Sequence, residues 1–353
     1  MPENTTAEKV QRPAATPLLK MTHVDQTFKT KKGDVPAVQD VNFEVGPGEV
    51  LCLVGESGCG KTTSARMAGG LLKPTAGEIA YLGKNIWELD SKEFIDYRRS
   101  VQYVHQDPYA SLNPIRSVAS TLTAPLLKHG IAKNRAEAWE QAAELCRRVD
   151  LTPPENYLPK FPHQLSGGQR QRVAVARALT LNPKVIIADE STSMLDVSIR
   201  VGMLKMLGKL RDELNVGFLF ITHDLAIAKY FGWSGKTAVM YLGKVVEMGP
   251  TPEVINNPQH PYTRALLNAV PEPDPDLTRT KLPNGGLRSS EIPNLRDLPT
   301  GCSFHPRCPL FEVGCDGVEP SLAEIAPGHA VSCHITGRDT RSQTDSPARE
   351  LAG

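Results

Sequence analysis

Short, wholly apolar runs separated by longer stretches of helical period dominate the chain. Val50–Val54 (VLCLV) is apolar at every position and too short for a helix, which predicts a strand buried on both faces. A Gly-rich turn follows, then a helix over about Lys61–Leu72. Val101–His105, Val185–Ala188 and Phe218–Thr222 read as further strands, and Thr237–Val246 as a strand pair turning at Leu242-Gly243-Lys244. Between Asp107 and about Leu181 the period is helical, most clearly over Arg135–Val149 and Gln169–Leu179. Strands alternating with helices predict an α/β fold with a sheet that is parallel in its core.

The pattern changes after about residue 270. Pro271-Glu272-Pro273-Asp274-Pro275 and the stretch to Pro299 read as connecting chain. A compact segment from Cys302 to Cys333 follows, and Gly337–Gly353 has the polar composition of a disordered tail. Met1–Pro17 is a polar lead-in without the apolar run of a signal peptide. No run of 18 apolar residues occurs, so no transmembrane helix is expected. Lys+Arg number 40 against 39 Asp+Glu, a net charge of +1 that gives no electrostatic ground for a nucleic-acid partner. A cytoplasmic chain is expected, with its thiols reduced unless a metal holds them.

Two short stretches carry phosphate chemistry. Gly55-Glu56-Ser57-Gly58-Cys59-Gly60-Lys61-Thr62, with Thr63 next, fits G-x-x-x-x-G-K-[ST] between a strand and a helix. Its glycines let the backbone curl so that N–H groups surround phosphates. Lys61 offers a point charge to the β and γ phosphates, Thr62 a hydroxyl to Mg²⁺, and the helix its positive end. Val185–Glu190 is an apolar strand ending in two acids. Asp189 fits a second Mg²⁺ contact and Glu190 can accept a proton from attacking water.

Leu165-Ser166-Gly167-Gly168-Gln169 resembles the signature motif of ABC ATPases. Ser166 and the glycines offer a hydroxyl and bare N–H groups at the start of a helix, which makes a second anion site. In that family the signature of one subunit closes over the ATP held by its partner's phosphate loop. The resemblance therefore implies a head-to-tail ATPase pair with two ATP molecules between the subunits. Gln106 resembles the family's Mg²⁺-sensing glutamine, His223 its γ-phosphate histidine, and Phe28 lies in a segment like its adenine-stacking region. Ser193-Met194-Leu195-Asp196 resembles the loop that crosses the dimer interface, with Met194 where Ala is commoner. The implied fold has a mixed-sheet core with a helical subdomain at about 107–181, all within an ATPase domain spanning 18–253.

The C-terminal third narrows the resemblance. Asn257–Leu267, Gln106–Pro114 and the segment from Gly301 to His334 are similar to stretches of the oligopeptide/dipeptide importer ATPases. This divides the rest of the chain into a linker over 254–300, a Cys region over 301–336 and a tail over 337–353. Cys302, Cys308, Cys315 and Cys333 admit three readings: free thiols, structural zinc, or the [4Fe–4S] cluster that the resemblance implies. Cys52 and Cys146 read as core thiols. Cys59, inside the phosphate loop, is a site where alkylation would block ATP.

The subfamily likeness implies a peripheral protein on the cytoplasmic side of the cell (inner) membrane. Its implied partners are a second, distinct ABC ATPase subunit, two membrane permease subunits and an extracytoplasmic substrate-binding protein. Peptide is the expected cargo, with nickel, oligosaccharides and opines as alternatives. A non-transport ABC ATPase is disfavoured, because the chain has neither tandem ATPase domains nor a long coiled-coil insertion. A P-loop kinase is disfavoured by the signature.

Overall fold

The structure, a computed structural model, describes residues 16–107, 111–193, 195–269 and 286–336. The lead-in up to residue 15, most of the Pro-rich stretch (270–285) and the tail from 337 lie outside the described residues.

An antiparallel hairpin opens the fold, β1 (Leu19–Thr30) against β2 (Gly33–Val45). Polar residues interspersed along both strands, such as Thr22-His23 and Asp25-Gln26-Thr27 in β1, hid them from a search for apolar runs. With β4 (Ala76–Tyr81) and β5 (Lys84–Asn85) they form a four-stranded sheet in the order β2-β1-β4-β5. The larger sheet, among the described residues, has eight strands in the order β11 (Ala323–Ala326), β12 (His329–Val331), β10 (Lys244–Pro250), β9 (Lys236–Tyr241), β3 (Val50–Val54), β8 (Gly217–Thr222), β7 (Val185–Asp189) and β6 (Val101–Val104). Its centre is parallel: β3 (Val50–Val54), β6 (Val101–Val104), β7 (Val185–Asp189), β8 (Gly217–Thr222) and β9 (Lys236–Tyr241). β3, β7 and β8 are buried at every position, because both faces of the sheet are covered. Cys52, Val54, Ile186, Phe218 and Phe220 pack on one face against helices, while Leu51, Leu53, Ile187, Leu219 and Ile221 pack on the other against the small sheet.

Helix α1 (Lys61–Ala68) follows β3 and ends four residues short of the sequence expectation, because Gly70 takes a left-handed φ of 62°. Helix α2 (Ser91–Ser100) leads into β6. The stretch expected to be helical carries α3 (Val118–Lys128), α4 (Arg135–Arg148) and α5 (Gly167–Leu179). Ser117, Asn134 and Ser166 cap them, each accepting a backbone N–H. Helix α6 (Val197–Leu214) precedes β8, and α7 (Leu225–Phe231) precedes β9.

The stretch after β10 (Lys244–Pro250) carries two helices, α8 (Thr251–Asn256) and α9 (Pro261–Ala269). The Cys-bearing segment ends in the hairpin β11 (Ala323–Ala326) and β12 (His329–Val331). Strand β12 pairs with β10, so the C-terminal region extends the core sheet. Phe304 and Cys308 share a cluster with Tyr241, Val246 and Tyr262. Among the described residues no helix is long and apolar enough to cross a membrane.

Candidate functional site

Strand order builds the site. β3, β8, β7 and β6 are parallel neighbours, so the loops after them emerge side by side at one end of the sheet, where α/β proteins bind ligands. The phosphate loop leaves β3, His223 follows β8, Asp189 and Glu190 end β7, and Gln106 follows β6. Residues separated by more than 160 positions in the sequence thus converge.

The loop needs its glycines. Gly55, Gly58 and Gly60 have φ of 158°, 81° and 105°, conformations that L side chains rarely adopt. A Cβ on Gly60 would stand 2.4 Å from the Ala37 carbonyl oxygen. Lys61 is buried, and its Nζ donates to the carbonyls of Gly55 at 2.7 Å and Glu56 at 2.8 Å. The Thr62 hydroxyl donates to Asp189 Oδ1 at 3.1 Å, and the Tyr103 hydroxyl to Oδ2 at 2.6 Å. Burial raises the Asp189 pKa, partly offset by these two hydrogen bonds. Oxygen donors grouped in this way suit a hard cation such as Mg²⁺.

Glu190 turns the chain with a left-handed φ of 43°, in a region rarely adopted by a non-glycine residue and often kept at functional sites. Its Oε2 accepts from Gln106 Nε2 at 2.9 Å and lies 3.6 Å from His223 Nδ1. The structure therefore brings Lys61, Thr62, Gln106, Asp189, Glu190 and His223 into one constellation. Phe28 is exposed on β1, so it is not a core side chain.

Ser166–Gln169 stand apart. Ser166 Oγ accepts from the Gln169 N–H at 3.3 Å, and Gln169 Oε1 accepts from the Ser166 N–H at 3.0 Å. This reciprocal box starts α5. Gly168 packs on α6, where a Cβ would meet Ile199 at 2.6 Å. Met194 of the expected interface loop lies outside the described residues.

Two contacts to the phosphate loop come from residues that motif reading missed. Arg307 donates from Nη1 and Nη2 to the Glu56 carboxylate at 2.7 and 2.9 Å, and the Tyr262 hydroxyl accepts the Glu56 N–H at 2.9 Å. Neither residue lies in a phosphate motif, and no sequence signal pairs positions 251 residues apart.

The thiols divide into two groups. Burial pushes Cys52 up to about 12 and Cys146 up to about 11, as inert core thiols require. Cys59 is buried and its thiol is also raised by burial, with Lys61 opposing. In the C-terminal segment burial raises Cys302 and pushes Cys308 up to about 11, and charge on Cys315 and Cys333 raises both further. Cys302 and Cys315 are neighbours in the fold, the Cys302 N–H donating to the Cys315 carbonyl at 2.8 Å. Among the described residues, however, no three His, Cys, Asp or Glu side chains are assembled closely enough to hold a metal ion.

Comparison with known proteins agrees with this geometry. Residues 38–193 match the family described as ABC transporter, and residues 246–315 the oligopeptide/dipeptide transporter, C-terminal region. The probable peptide ABC transporter ATP-binding protein y4tS of Sinorhizobium fredii is 43% identical over 308 residues, covering 87% of this chain and 85% of its own. The oligopeptide transport ATP-binding protein AppF of Bacillus subtilis is 42% identical over 315 residues, covering 87% and 92%. Among solved structures, the dimeric ATP-binding cassette MJ0796 bound to ADP and Pi is similar at a TM-score of 0.60 and 31% identity, over 66% of this chain and 98% of that one. The cassette cbiO1 of Clostridium perfringens, part of the complex cbiONQ, is 28% identical at the same TM-score, over 69% and 92%. With two relatives above 40% identity along most of their length, and a phosphate loop, acidic strand end and capped signature in register, this chain belongs to the ATP-binding subunits of ABC transporters.

Proposed function

We propose that this chain binds and hydrolyses ATP to energise peptide import through a membrane transporter. The observation that carries the reading is the convergence of Lys61, Thr62, Asp189, Glu190, Gln106 and His223 at one sheet end, while Ser166 and its glycines build a separate helix start at α5. One chain then holds two half-sites, and a head-to-tail pair completes two whole ones. The dimeric state of the similar cassette MJ0796 supports this pairing.

In this reading Gly55–Thr63 wrap the phosphates, Lys61 exchanges its loop carbonyls for β and γ oxygens, and Phe28 stacks on adenine. Thr62, Asp189 and Gln106 would hold Mg²⁺, which would supply positive charge against the phosphates. Glu190 orients and deprotonates the attacking water, with Gln106 and His223 keeping its carboxylate in place. Ser166, Gly167, Gly168 and Gln169 close on the partner's γ-phosphate. ATP binds the closed pair better than the open one and so shifts the population towards closure.

Relatives named for peptide and oligopeptide transport favour peptide over nickel, oligosaccharide or opine cargo. The proposed assembly sits on the cytoplasmic side of the cell membrane. It has two permease subunits, a distinct second ATPase subunit and an extracytoplasmic binding protein. Residues 18–253 form its motor unit, with 301–336 as a C-terminal region joined through 254–300. Cys302, Cys308, Cys315 and Cys333 are the thiolates that would hold a [4Fe–4S] cluster, a role supported by their donor chemistry and by the likeness of the segment, not by their arrangement in the described residues. Iron and sulfide analysis of anaerobically purified protein checks this, and absence of both sinks it.

Uptake of labelled di- and oligopeptides by the reconstituted transporter tests the main reading. Glu190→Gln is expected to cut ATP-driven uptake at least ~100-fold while leaving ATP binding intact. Undiminished uptake in that variant rejects the assigned role.

A further inference from the structure

The C-terminal region reaches the phosphate loop through one residue, Glu56. Arg307 is 4% exposed and grips both carboxylate oxygens of Glu56, at 2.7 and 2.9 Å. Its guanidinium lies 5.7 Å from the Tyr241 ring and 5.9 Å from the Phe304 ring, within cation–π range of both. Tyr262 packs against the same two rings, at 4.6 and 5.4 Å, and its hydroxyl accepts the Glu56 N–H. Side chain and main chain of a single loop residue are thus held from outside the loop. The carbonyl of that residue accepts from Lys61 Nζ.

We infer that Arg307 and Tyr262 are positioning residues for nucleotide binding: they pre-order the phosphate loop at Glu56 and neutralise a carboxylate that would otherwise face the triphosphate. The inference rests on the reading of residues 55–62 as the ATP loop. Two physical effects act together. A bidentate, buried clamp removes conformational freedom that ATP would otherwise have to remove on binding. Pairing also screens the Glu56 charge from an anion arriving at the same loop. Both effects act on nucleotide affinity and leave the hydrolytic groups Glu190 and His223 untouched.

The test measures ATP Kd, KM and kcat in the assembled transporter for Arg307→Ala, Arg307→Lys, Tyr262→Phe and Arg307→Ala combined with Glu56→Gln. Arg307→Ala is expected to raise Kd and KM about 10-fold, the equivalent of one lost charge-assisted contact, with kcat changed by less than about 3-fold. Removing the stranded carboxylate in the double variant is expected to recover most of that affinity. Arg307→Lys keeps charge without the fork and should fall between. Tyr262→Phe should raise Kd about 3-fold. The last two variants are near-isosteric and keep the test open should Arg307→Ala fail to fold. Unchanged Kd in the three single variants overturns the inference, as does a loss in Arg307→Ala that Glu56→Gln leaves unrelieved. Lys61→Ala serves as the control. Wild-type ATP affinity in that variant overturns the ATP-loop reading and the inference with it. Lost affinity there, with normal affinity in the Arg307 and Tyr262 variants, overturns the inference alone.

Discussion

Lys61 illustrates how residue-scale geometry sets ligand preference. Its ammonium is buried against two carbonyl oxygens of its own loop, so the charge is held in place before any phosphate competes for it. Lys61→Ala is expected to weaken ATP binding at least ~100-fold, as isothermal titration would register. Gly60 sets the shape in which that lysine works. At a φ of 105°, with a carbonyl oxygen 2.4 Å from where its Cβ would lie, Gly60→Ala should destabilise the loop by more than about 1 kcal/mol. ATP affinity should fall while the melting temperature of the helical part stays the same, and unchanged affinity would show that the loop tolerates the side chain. Both residues are legible in the sequence, because a phosphate loop is a local device whose parts lie within eight positions.

At the scale of elements, the junction of β10 and β12 responds to acid. Glu247 is buried on β10. Burial raises its pKa, but the His329 ring at 2.8 Å and the N–H groups of Gln259 and His260 outweigh this and hold it below the ordinary carboxylate value. Burial likewise pushes His260 down to about 4, so the folded state keeps it neutral. Both folded-state values are depressed, and for both the sign is the same. Their stabilisation is complete at neutral pH and erodes as the unfolded chain takes up protons first, from about pH 6.5 for His260 and about pH 4.5 for Glu247. For His260 the loss saturates near pH 4 at on the order of 3 kcal/mol. Docking of the C-terminal region should therefore weaken below about pH 6. The hydrogen-exchange protection factor at β12, normalised to the intrinsic rate at each pH, should fall first, and His260→Asn should flatten the upper part of that dependence. Equal protection factors at neutral and acid pH would contradict it. The signature is an element-scale feature of a different kind. Its capping box, Ser166 with Gln169 three residues on, starts α5, and Ser166→Ala should cost that helix about 1 kcal/mol through the lost N-cap.

At the scale of the molecule, the proposed pairing of two half-sites makes closure the step to test. Glu190→Gln, mixed with its partner ATPase and ATP, should run as a dimer in size-exclusion chromatography. Ser166→Arg should abolish that shift while each monomer still binds ATP. A monomeric Glu190→Gln mixture would reject the composite site.

Local chemistry was therefore decided by the sequence alone. The apolar strand segments, the phosphate loop, the acidic strand end and the signature each depend on residues within a few positions, where steric and hydrogen-bonding rules act without help from the rest of the chain. The β1–β2 hairpin escaped notice because its alternating pattern gains meaning only once a second sheet face covers it. The Pro-rich C-terminal third reads as connecting chain and an appended segment, yet α8, α9 and the β11–β12 hairpin pack on the core and continue its sheet. That docking, and with it the grip of Arg307 on Glu56, was left to the tertiary structure. Burying a guanidinium against a carboxylate 251 residues away depends on which surfaces meet, and no local propensity encodes such a meeting.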